Sequence, residues 1–336
     1  MNILVTGGAG YIGSHTLIEL IDREFENLFS IDNYLNSEES NYDKIEKITG
    51  RKINYFNIDL KDKEAIKSFF NKNTIDSVIH FAALKSVPES IDIPIECYQN
   101  NVGGLLNLVE AMQESNVNQL IFSSSCSIYG NPEKLPVNEN TPFGKAESPY
   151  ARSKQMGENI LEDFCKVNKN FKVISLRYFN PAGAHKSGFI GEGYTKRPNN
   201  LVPLIAQTAV GLRDKLTVFG TDYSTKDGSC VRDYIHVVDV AQAHVKALDY
   251  FNKMKPNYDV INLGTGNGTT VLEIIKSFEK ASGQKLNYEL GKRRAGDVET
   301  IYADNSKAKK ELHWDAKLTI YDMVSTAWKW QQNMEA

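Results

Sequence analysis

The sequence predicts an α/β fold in which a doubly wound parallel sheet is followed by a smaller C-terminal lobe. Through the first half of the 336-residue chain, short apolar runs alternate with helical stretches, the pattern of a parallel sheet covered on both faces. Past residue 178 this regularity weakens, and Gly, Pro, Asn and Asp interrupt the chain in stretches such as NPAGAH and GTGNGTT. We therefore predict one domain over residues 1–178 and a second mainly over 179–336, with a segment near 235–255 returning to the first.

The predicted strands of the sheet are short and almost continuously apolar, as expected when both faces are buried. In order they are NILV at 2, NLFSID at 27, INYFNI at 53, SVIHFA at 77, QLIFSS at 119 and KVISLRY at 172.

A glycine-rich turn, TGGAGYIG, separates the first strand from a segment with helical spacing. Gly8, Gly10 and Gly13 satisfy the G-x-G-x-x-G spacing, and Gly7 begins an alternative that shares the last two glycines. Such glycines allow a tight turn and close approach of the backbone to a pyrophosphate at a helix N-terminus. The second strand ends in Asp32, 19 residues beyond Gly13, where an acid accepts hydrogen bonds from ribose and repels a 2′-phosphate. The sequence therefore predicts a Rossmann-type fold that binds NAD in preference to NADP.

The stretch SPYARSKQMGE contains a candidate catalytic pair. Ser148 suits a helix N-cap and Pro149 the first helical position, so Tyr150 and Lys154 share one face of the helix. Lowering a tyrosine pKa from about 10 to about 7 takes roughly 4 kcal/mol, which a nearby ammonium, a nicotinamide cation and a helix N-terminus would supply together. Tyr150 is thus a candidate general base.

A serine cluster at the end of the strand QLIFSS supports this assignment. Ligands of open α/β sheets bind at the carboxyl ends of the strands, so Ser125 is a third candidate catalytic residue. Tyr288 and Lys292 repeat the four-residue spacing, but they lie in a strand-like stretch that Gly291 interrupts. We interpret that second pair as a chance match.

Composition and charge exclude several classes of protein. The net charge is −3 with scattered basic residues, which disfavours a nucleic-acid or anionic-membrane partner. No apolar run reaches membrane-spanning length and no secretory signal is evident, so we expect a cytoplasmic protein. The four cysteines and six histidines lack the spacing of a disulfide framework or a metal site.

Nine short motifs together resemble the UDP-glucose 4-epimerase family, a branch of the extended short-chain dehydrogenase/reductases. They are TGGAGYIG, DNYLNS, FAALKSV, FSSSCSIYG, YARSK, RYFNPAGAH, PNNL, VRDYIHV and RRAGD. The resemblance implies interconversion of UDP-glucose and UDP-galactose by reversible oxidation at carbon 4 with tightly held NAD. It also implies that Tyr150 is the base, that Lys154 binds the nicotinamide ribose and lowers the tyrosine pKa, and that Ser125 hydrogen-bonds the sugar 4-oxygen.

The same resemblance implies which residues bind each ligand. Besides Tyr150 and Lys154, the cofactor residues would be Gly7, Gly10, Tyr11, Ile12, Gly13, Asp32, Asn33, Asn36, Ser37, Asp59, Leu60, Phe81, Ala82, Lys85, Asn100 and Tyr178. Besides Ser125 and Tyr150, the substrate residues would be Asn180, Asn200, Leu201, Phe219 at the uracil, Arg232 and Arg294 at the diphosphate, Asp297 at the ribose, and Ile301 in the sugar pocket.

Two alternatives and two open questions accompany this interpretation. A nucleotide-sugar 4,6-dehydratase would need a carboxylate beside the serine, whereas Ser125 is followed by Cys126 and Ser127. A catalytically inactive NAD-sensing scaffold is the other alternative, although the Tyr and Lys are both intact.

The family is usually dimeric through helices that would include residues 95–114 and 150–167. Where some members have tyrosine, this chain has Ile301, so the smaller side chain predicts that N-acetylated UDP-sugars are also accepted.

Overall fold

The computed structural model describes residues 1–193, 200–294 and 297–335. The described strands are, in chain order, β1 (Asn2–Thr6), β2 (Asn27–Asp32), β3 (Asn54–Asn57), β4 (Ser77–His80), β5 (Gln119–Ser125), β6 (Lys172–Tyr178), β7 (Asn180–Ala182), β8 (Leu216–Phe219), β9 (Val231–Arg232), β10 (Tyr234–His236), β11 (Tyr258–Leu263), β12 (Thr269–Thr270), β13 (Tyr288–Gly291) and β14 (Thr300–Ile301).

The described helices alternate with the strands of the first half and cluster towards the end of the chain. They are α1 (Tyr11–Asp22), α2 (Asn41–Thr49), α3 (Lys63–Lys72), α4 (Val87–Asp92), α5 (Pro94–Tyr98), α6 (Gly104–Glu114), α7 (Pro149–Val167), α8 (Leu201–Ala209), α9 (Val237–Tyr250), α10 (Val271–Ser282), α11 (Ser306–Glu311) and α12 (Ile320–Glu335). A π-helical turn, Gln99–Gly103, joins α5 to α6, and a 3₁₀ turn, Cys126–Tyr129, follows β5.

A seven-stranded parallel sheet in the order β11-β6-β5-β4-β1-β2-β3 forms the centre of the molecule. Successive side chains of a strand point to opposite faces, so Ile3 and Val5 pack on one side with α1 and α9. Leu4 packs on the other side with α3, α6 and α7. All six strands predicted from the sequence are present, and the α/β, doubly wound fold class is confirmed.

The second half of the chain contributes both to the sheet and to a separate cluster. Helix α9 packs on α1, and β11 pairs with β6 at the edge of the sheet. Helices α8, α10 and α12 bury their apolar faces against one another and against β8. The domain boundary at residue 178 and the return of the 235–255 segment to the first domain stay predictions, and β11 lies beyond that segment.

The start of α7 shows how the sequence sets the position of the candidate catalytic pair. The Ser148 hydroxyl accepts a hydrogen bond from the Ala151 backbone N–H at 3.1 Å, and Pro149 occupies the first turn. The Ser148 side chain therefore satisfies a helix donor that would otherwise have no intrahelical partner. By contrast, Tyr288 lies in β13, as the chance-match interpretation requires.

Three negative findings apply to the described part of the chain. None of its helices has the length and hydropathy of a membrane span. Its four cysteines are free thiols. Within the same residues, no group of His, Cys, Asp and Glu side chains is arranged to hold a metal ion.

Candidate active site

A cleft of about 970 Å³ opens at the carboxyl ends of the sheet strands and continues between the sheet and the second lobe. It therefore lies where α/β sheets bind their ligands. Of the residues predicted to form the site, the cleft is lined by Gly7, Gly10, Tyr11, Ile12, Gly13, Asp32, Asn33, Asn36, Ser37, Leu60, Phe81, Ala82, Lys85, Asn100, Ser125, Tyr150, Lys154, Tyr178, Asn180, Asn200, Leu201, Phe219, Arg232, Arg294 and Asp297.

The glycines of the first turn have different roles. Gly7 has φ +74°, and a Cβ there would lie 2.7 Å from the Ala82 backbone nitrogen. A Cβ on Gly13 would lie 2.2 Å from the Gly7 carbonyl oxygen, so both positions require glycine for the chain's own packing. At Gly10 the nearest protein atom to an added Cβ is the Gly7 oxygen at 3.1 Å. A side chain at Gly10 would thus enter the cleft at the N-terminus of α1, the place suited to a pyrophosphate.

Asp32 is held at the end of β2 by three hydrogen bonds. Its Oδ2 accepts from the Ala9 N–H at 3.0 Å, and its Oδ1 accepts from the Tyr34 N–H at 2.9 Å and the Ser37 hydroxyl at 2.8 Å. The carboxylate is buried at the cleft wall, and its negative charge disfavours a 2′-phosphate beside it. These residues fit NAD.

Asp59 is not among the residues that line the cleft. It follows β3, where its carboxylate accepts from the Lys61 N–H at 2.8 Å and from the Asn33 side-chain amide at 3.2 Å. Asn33 does line the cleft. Asp59 therefore reaches the cleft through Asn33, and its direct contact with adenine stays a prediction.

Tyr150, Lys154 and Ser125 meet at the inner end of the cleft. The Lys154 Nζ lies 6.0 Å from the centre of the Tyr150 ring and donates to the Ser123 carbonyl oxygen at 2.6 Å. The Ser125 hydroxyl, which accepts from the Ser127 N–H at 3.2 Å, lies on the same wall. The arrangement places a phenol, an ammonium and a hydroxyl around one reaction volume.

The protein groups by themselves do not lower the Tyr150 pKa, contrary to the expectation from the sequence. Burial raises the Tyr150 pKa to about 12, and the Ser125 hydroxyl opposes this only in part. Burial also lowers the Lys154 pKa to about 8, and the neighbouring Cys97 and Glu158 oppose this shift only in part. The sequence-based expectation included the charges near Tyr150. It did not include desolvation of the ring, which disfavours the charged phenolate and raises the pKa.

The three residues predicted at the diphosphate and ribose form a second cluster that lines the cleft. Arg232 and Arg294 donate to the same Asp297 oxygen, at 3.2 and 3.1 Å. The Arg294 guanidinium also lies 5.5 Å from the centre of the Phe219 ring, which is 44% exposed. Two cations around one carboxylate leave a net positive charge, which suits a diphosphate.

Comparisons with known proteins agree with this geometry. Residues 4–327 match a family model described as GDP-mannose 4,6 dehydratase. A UDP-glucose 4-epimerase of Drosophila melanogaster is 49% identical over 98% of this chain and 96% of its own length. The chain belongs to the UDP-glucose 4-epimerase family. The predicted family is therefore confirmed.

Solved epimerase structures superpose on almost the whole chain. A UDP-glucose 4-epimerase of Stenotrophomonas maltophila with bound NAD and formylated UDP-arabinopyranose has a TM-score of 0.96 and 43% identity, covering 100% of this chain and 99% of its own. The Bifidobacterium longum enzyme in complex with NAD+ and UDP has a TM-score of 0.95 and 46% identity, covering 99% and 98%.

The dehydratase alternative is not favoured within this epimerase fold. The residue after Ser125 is Cys126, whose pKa burial raises to about 12. A thiol of that pKa cannot replace the carboxylic acid that dehydration needs beside the serine.

Ile301 does not line the cleft, contrary to the sequence-based expectation. It lies in β14, is 4% exposed and packs in an apolar cluster with Tyr129, Val137 and Phe179. The β-branched side chain suits this buried strand. In this epimerase Ile301 therefore reaches the cleft only through neighbours such as Phe179, which lines it.

Glu192 is a cleft residue that the sequence analysis missed. Its Oε1 accepts from the Lys85 ammonium at 2.7 Å and from the Asn200 amide at 2.6 Å, so it connects a predicted cofactor residue to a predicted substrate residue. Trp330 of α12 donates to the Glu192 carbonyl oxygen at 3.1 Å. Glu192 lies in a loop and Trp330 follows more than 100 residues later, so no spacing in the sequence predicts that they interact.

Proposed function

We propose that this chain interconverts UDP-glucose and UDP-galactose by reversible oxidation at carbon 4, with bound NAD. One observation carries the proposal: a single cleft contains the glycine turn and Asp32, the Tyr150, Lys154 and Ser125 group, and the Arg232, Asp297 and Arg294 cluster. A dinucleotide on the first and a UDP group on the last would bring nicotinamide and hexose together at Tyr150.

NAD, when bound, supplies the acceptor and donor of hydride. Tyr150 as a phenolate removes the 4-hydroxyl proton and later returns it, so the sugar is not oxidised overall. Ser125 orients the sugar 4-oxygen, and Lys154 stabilises the phenolate by its positive charge. Because burial raises the Tyr150 pKa, the phenolate forms only with added positive charge nearby.

We assign the cofactor-binding role to the glycine turn, Asp32 and the residues around them because they fit a dinucleotide without a 2′-phosphate. A complete cycle returns NAD to its starting state, so release gives no advantage. We expect NAD to copurify with the chain. Denaturing the purified protein and assaying the supernatant for NAD and NADP tests this, and recovery of NADP would contradict the role of Asp32.

We extend the proposed substrates to UDP-N-acetylglucosamine and UDP-N-acetylgalactosamine. Isoleucine is smaller than the tyrosine that it replaces, and Ile301 packs with Phe179, which lines the cleft. The side chain behind Phe179 is therefore smaller than it would be with tyrosine at position 301. Incubation with UDP-N-acetylgalactosamine tests this extension separately, and failure there leaves the glucose and galactose reaction standing.

We propose that the chain is a homodimer through the surface formed by α4 to α7. Ile91, Ile95 and Val167 on this surface are 57%, 69% and 78% exposed, and an interface there would remove these apolar side chains from water. Sedimentation equilibrium tests the proposal, with Ile95→Glu expected to give monomers.

We further assign the activity to the cytoplasm and to galactose and other carbohydrate metabolism.

Product analysis by NMR tests the proposed activity. Purified protein is incubated with UDP-galactose without added NAD, and UDP-glucose is the expected product. A 4-keto-6-deoxy product would instead support dehydration. No product at all, with NAD still bound, would support the inactive scaffold.

A further inference from the structure

Helix α7 presents a third polar side chain on the face that bears the candidate catalytic pair. Tyr150, Lys154 and Glu158 follow one another at four-residue intervals, so they lie along one side of the helix. Tyr150 and Lys154 line the cleft, whereas the Glu158 side chain is 2% exposed and lies one turn deeper in the protein. Glu158 therefore has no access to the ligands, and the chemistry described above does not use it.

The three consecutive serines at the end of β5 contact this face in register. The Ser123 carbonyl accepts from Lys154 at 2.6 Å. The Ser124 hydroxyl donates to the Glu158 carboxylate, and Ser125 lies beside Tyr150 in the cleft. The end of β5 thus meets three turns of α7, through the backbone carbonyl of Ser123 and the side chains of Ser124 and Ser125, while the Ser123 hydroxyl bonds Tyr178 instead.

Arg177 of β6 holds the Glu158 carboxylate from the other side. Its Nη2 donates to Oε2 at 2.6 Å and its Nε to Oε1 at 2.9 Å, a bidentate pair between side chains that are 5% and 2% exposed. The remaining Arg177 nitrogen, Nη1, donates to the Tyr129 hydroxyl at 3.0 Å and the Glu139 carbonyl at 3.2 Å. The geometry of the group is therefore determined by directional bonds from two neighbouring strands.

A buried ion pair of this kind is a poor way to gain stability alone, because desolvation of the two charges offsets much of their attraction. Its distinguishing property is direction: a carboxylate with several donors tolerates little rotation or sliding of the helix that carries it. Apolar side chains would hold α7 against the sheet without fixing its position along the strands.

We infer that Glu158, Ser124 and Arg177 form a positioning unit that sets α7 in register with β5, and so places Tyr150 and Lys154 relative to Ser125. The inference rests on the proposed function, because it gives those three residues their catalytic roles. None of the three positioning residues lines the cleft. Loss of the register should therefore lower kcat far more than it weakens the binding of UDP-sugar and NAD, because most of the predicted binding residues lie outside α7.

Ser124→Ala is the variant that tests the unit most cleanly, because it removes one bond without leaving a buried charge unpaired. Ser77→Ala is its matched control. Ser77 is also 0% exposed, and its hydroxyl donates to the Gln119 side chain at 2.5 Å, at the end of the sheet away from the cleft. We expect similar losses of thermal stability in both variants.

The measurement is kcat and KM for UDP-galactose in wild type and both variants, with bound NAD quantified in each. We expect kcat of Ser124→Ala to fall by about tenfold or more, because small misplacements of reacting groups cost that much. KM and NAD content should stay within about twofold of wild type, because the positioning residues do not line the cleft. Ser77→Ala should keep wild-type kcat.

Two results would overturn the inference. Wild-type kcat in Ser124→Ala would show that the register does not depend on this unit, and an equal fall in both variants would reduce the effect to general stability. Glu158→Gln is a second test, and the folded variant should have a lower kcat than Ser124→Ala. Wild-type protein that binds NAD but does not turn over UDP-galactose would instead overturn the proposed function, and this inference with it.

Discussion

Replacing Lys154 by methionine should make the nucleotide-free protein more stable at neutral pH while it abolishes turnover. Lys154 is 4% exposed, and burial lowers its pKa from the ordinary 10.5 to about 8. That difference corresponds to about 3 kcal/mol of penalty on the charged form. Methionine removes the charge at similar length, but it leaves the Ser123 carbonyl without its donor, at about 1 kcal/mol. The expected net gain is about 2 kcal/mol.

The pH dependence of this gain has a definite sign. Below pH 8 both folded and unfolded wild-type chains carry the Lys154 proton, so the full penalty is present. Between pH 8 and 10.5 the folded chain loses the proton while the unfolded chain keeps it, so wild-type stability rises with pH relative to Lys154→Met. The advantage of the variant should therefore shrink across that window and reverse above it, where only the loss of the Ser123 bond, about 1 kcal/mol, remains.

Urea denaturation of nucleotide-free wild type and Lys154→Met at pH 7 and pH 10 measures both effects. Lys166→Met is the control, because Lys166 lies on the same helix with a side chain that is 60% exposed. Its stability should change by no more than about 0.5 kcal/mol. A Lys154→Met protein less stable than wild type at pH 7 would refute the claim that this lysine is held at a cost for its function.

Three further predictions concern the ligands. Tyr150→Phe should lower turnover by roughly 10²- to 10⁴-fold with little change in UDP-sugar affinity, whereas Tyr288→Phe, in the chance match, should remain active; the opposite result would reverse the assignment. Arg294→Ala should weaken UDP binding in calorimetry by about tenfold to hundredfold. Arg293→Ala is the control, because the Arg293 side chain pairs with surface Asp222. An equal loss of affinity in both variants would contradict a specific role for Arg294. Ile301→Tyr should reduce turnover of UDP-N-acetylgalactosamine but not of UDP-galactose; equal effects on both sugars would indicate that Ile301 serves only the apolar cluster.

The sheet could be predicted because its determinants are local. Runs such as QLIFSS carry the apolar pattern of a strand buried on both faces, and Ser148 with Pro149 marks the start of α7 within a few residues. The glycine turn likewise encodes a conformation that other residues cannot adopt at Gly7. Fold class and cleft location follow from these signals because strand order and helix packing then obey general rules.

The parts that could not be predicted depend on burial and on distant partners. Glu158 is one more glutamate in a polar helix until Arg177 and Ser124 are seen around it. Ile301 was assigned to the cleft by resemblance, but it belongs to a buried apolar cluster that includes Tyr129 and Val137. Desolvation of Tyr150 is also invisible in a sequence, because it depends on how closely other segments cover the ring.

Epimerisation of UDP-hexoses in this cleft, with the protein's own cofactor, can be observed by proton NMR of the anomeric region. Purified protein, with no nucleotide added, should convert UDP-galactose to a mixture with UDP-glucose, and Tyr150→Phe at the same concentration should convert almost none. Unchanged UDP-galactose after prolonged incubation, with NAD demonstrably bound to wild-type protein, would contradict the account.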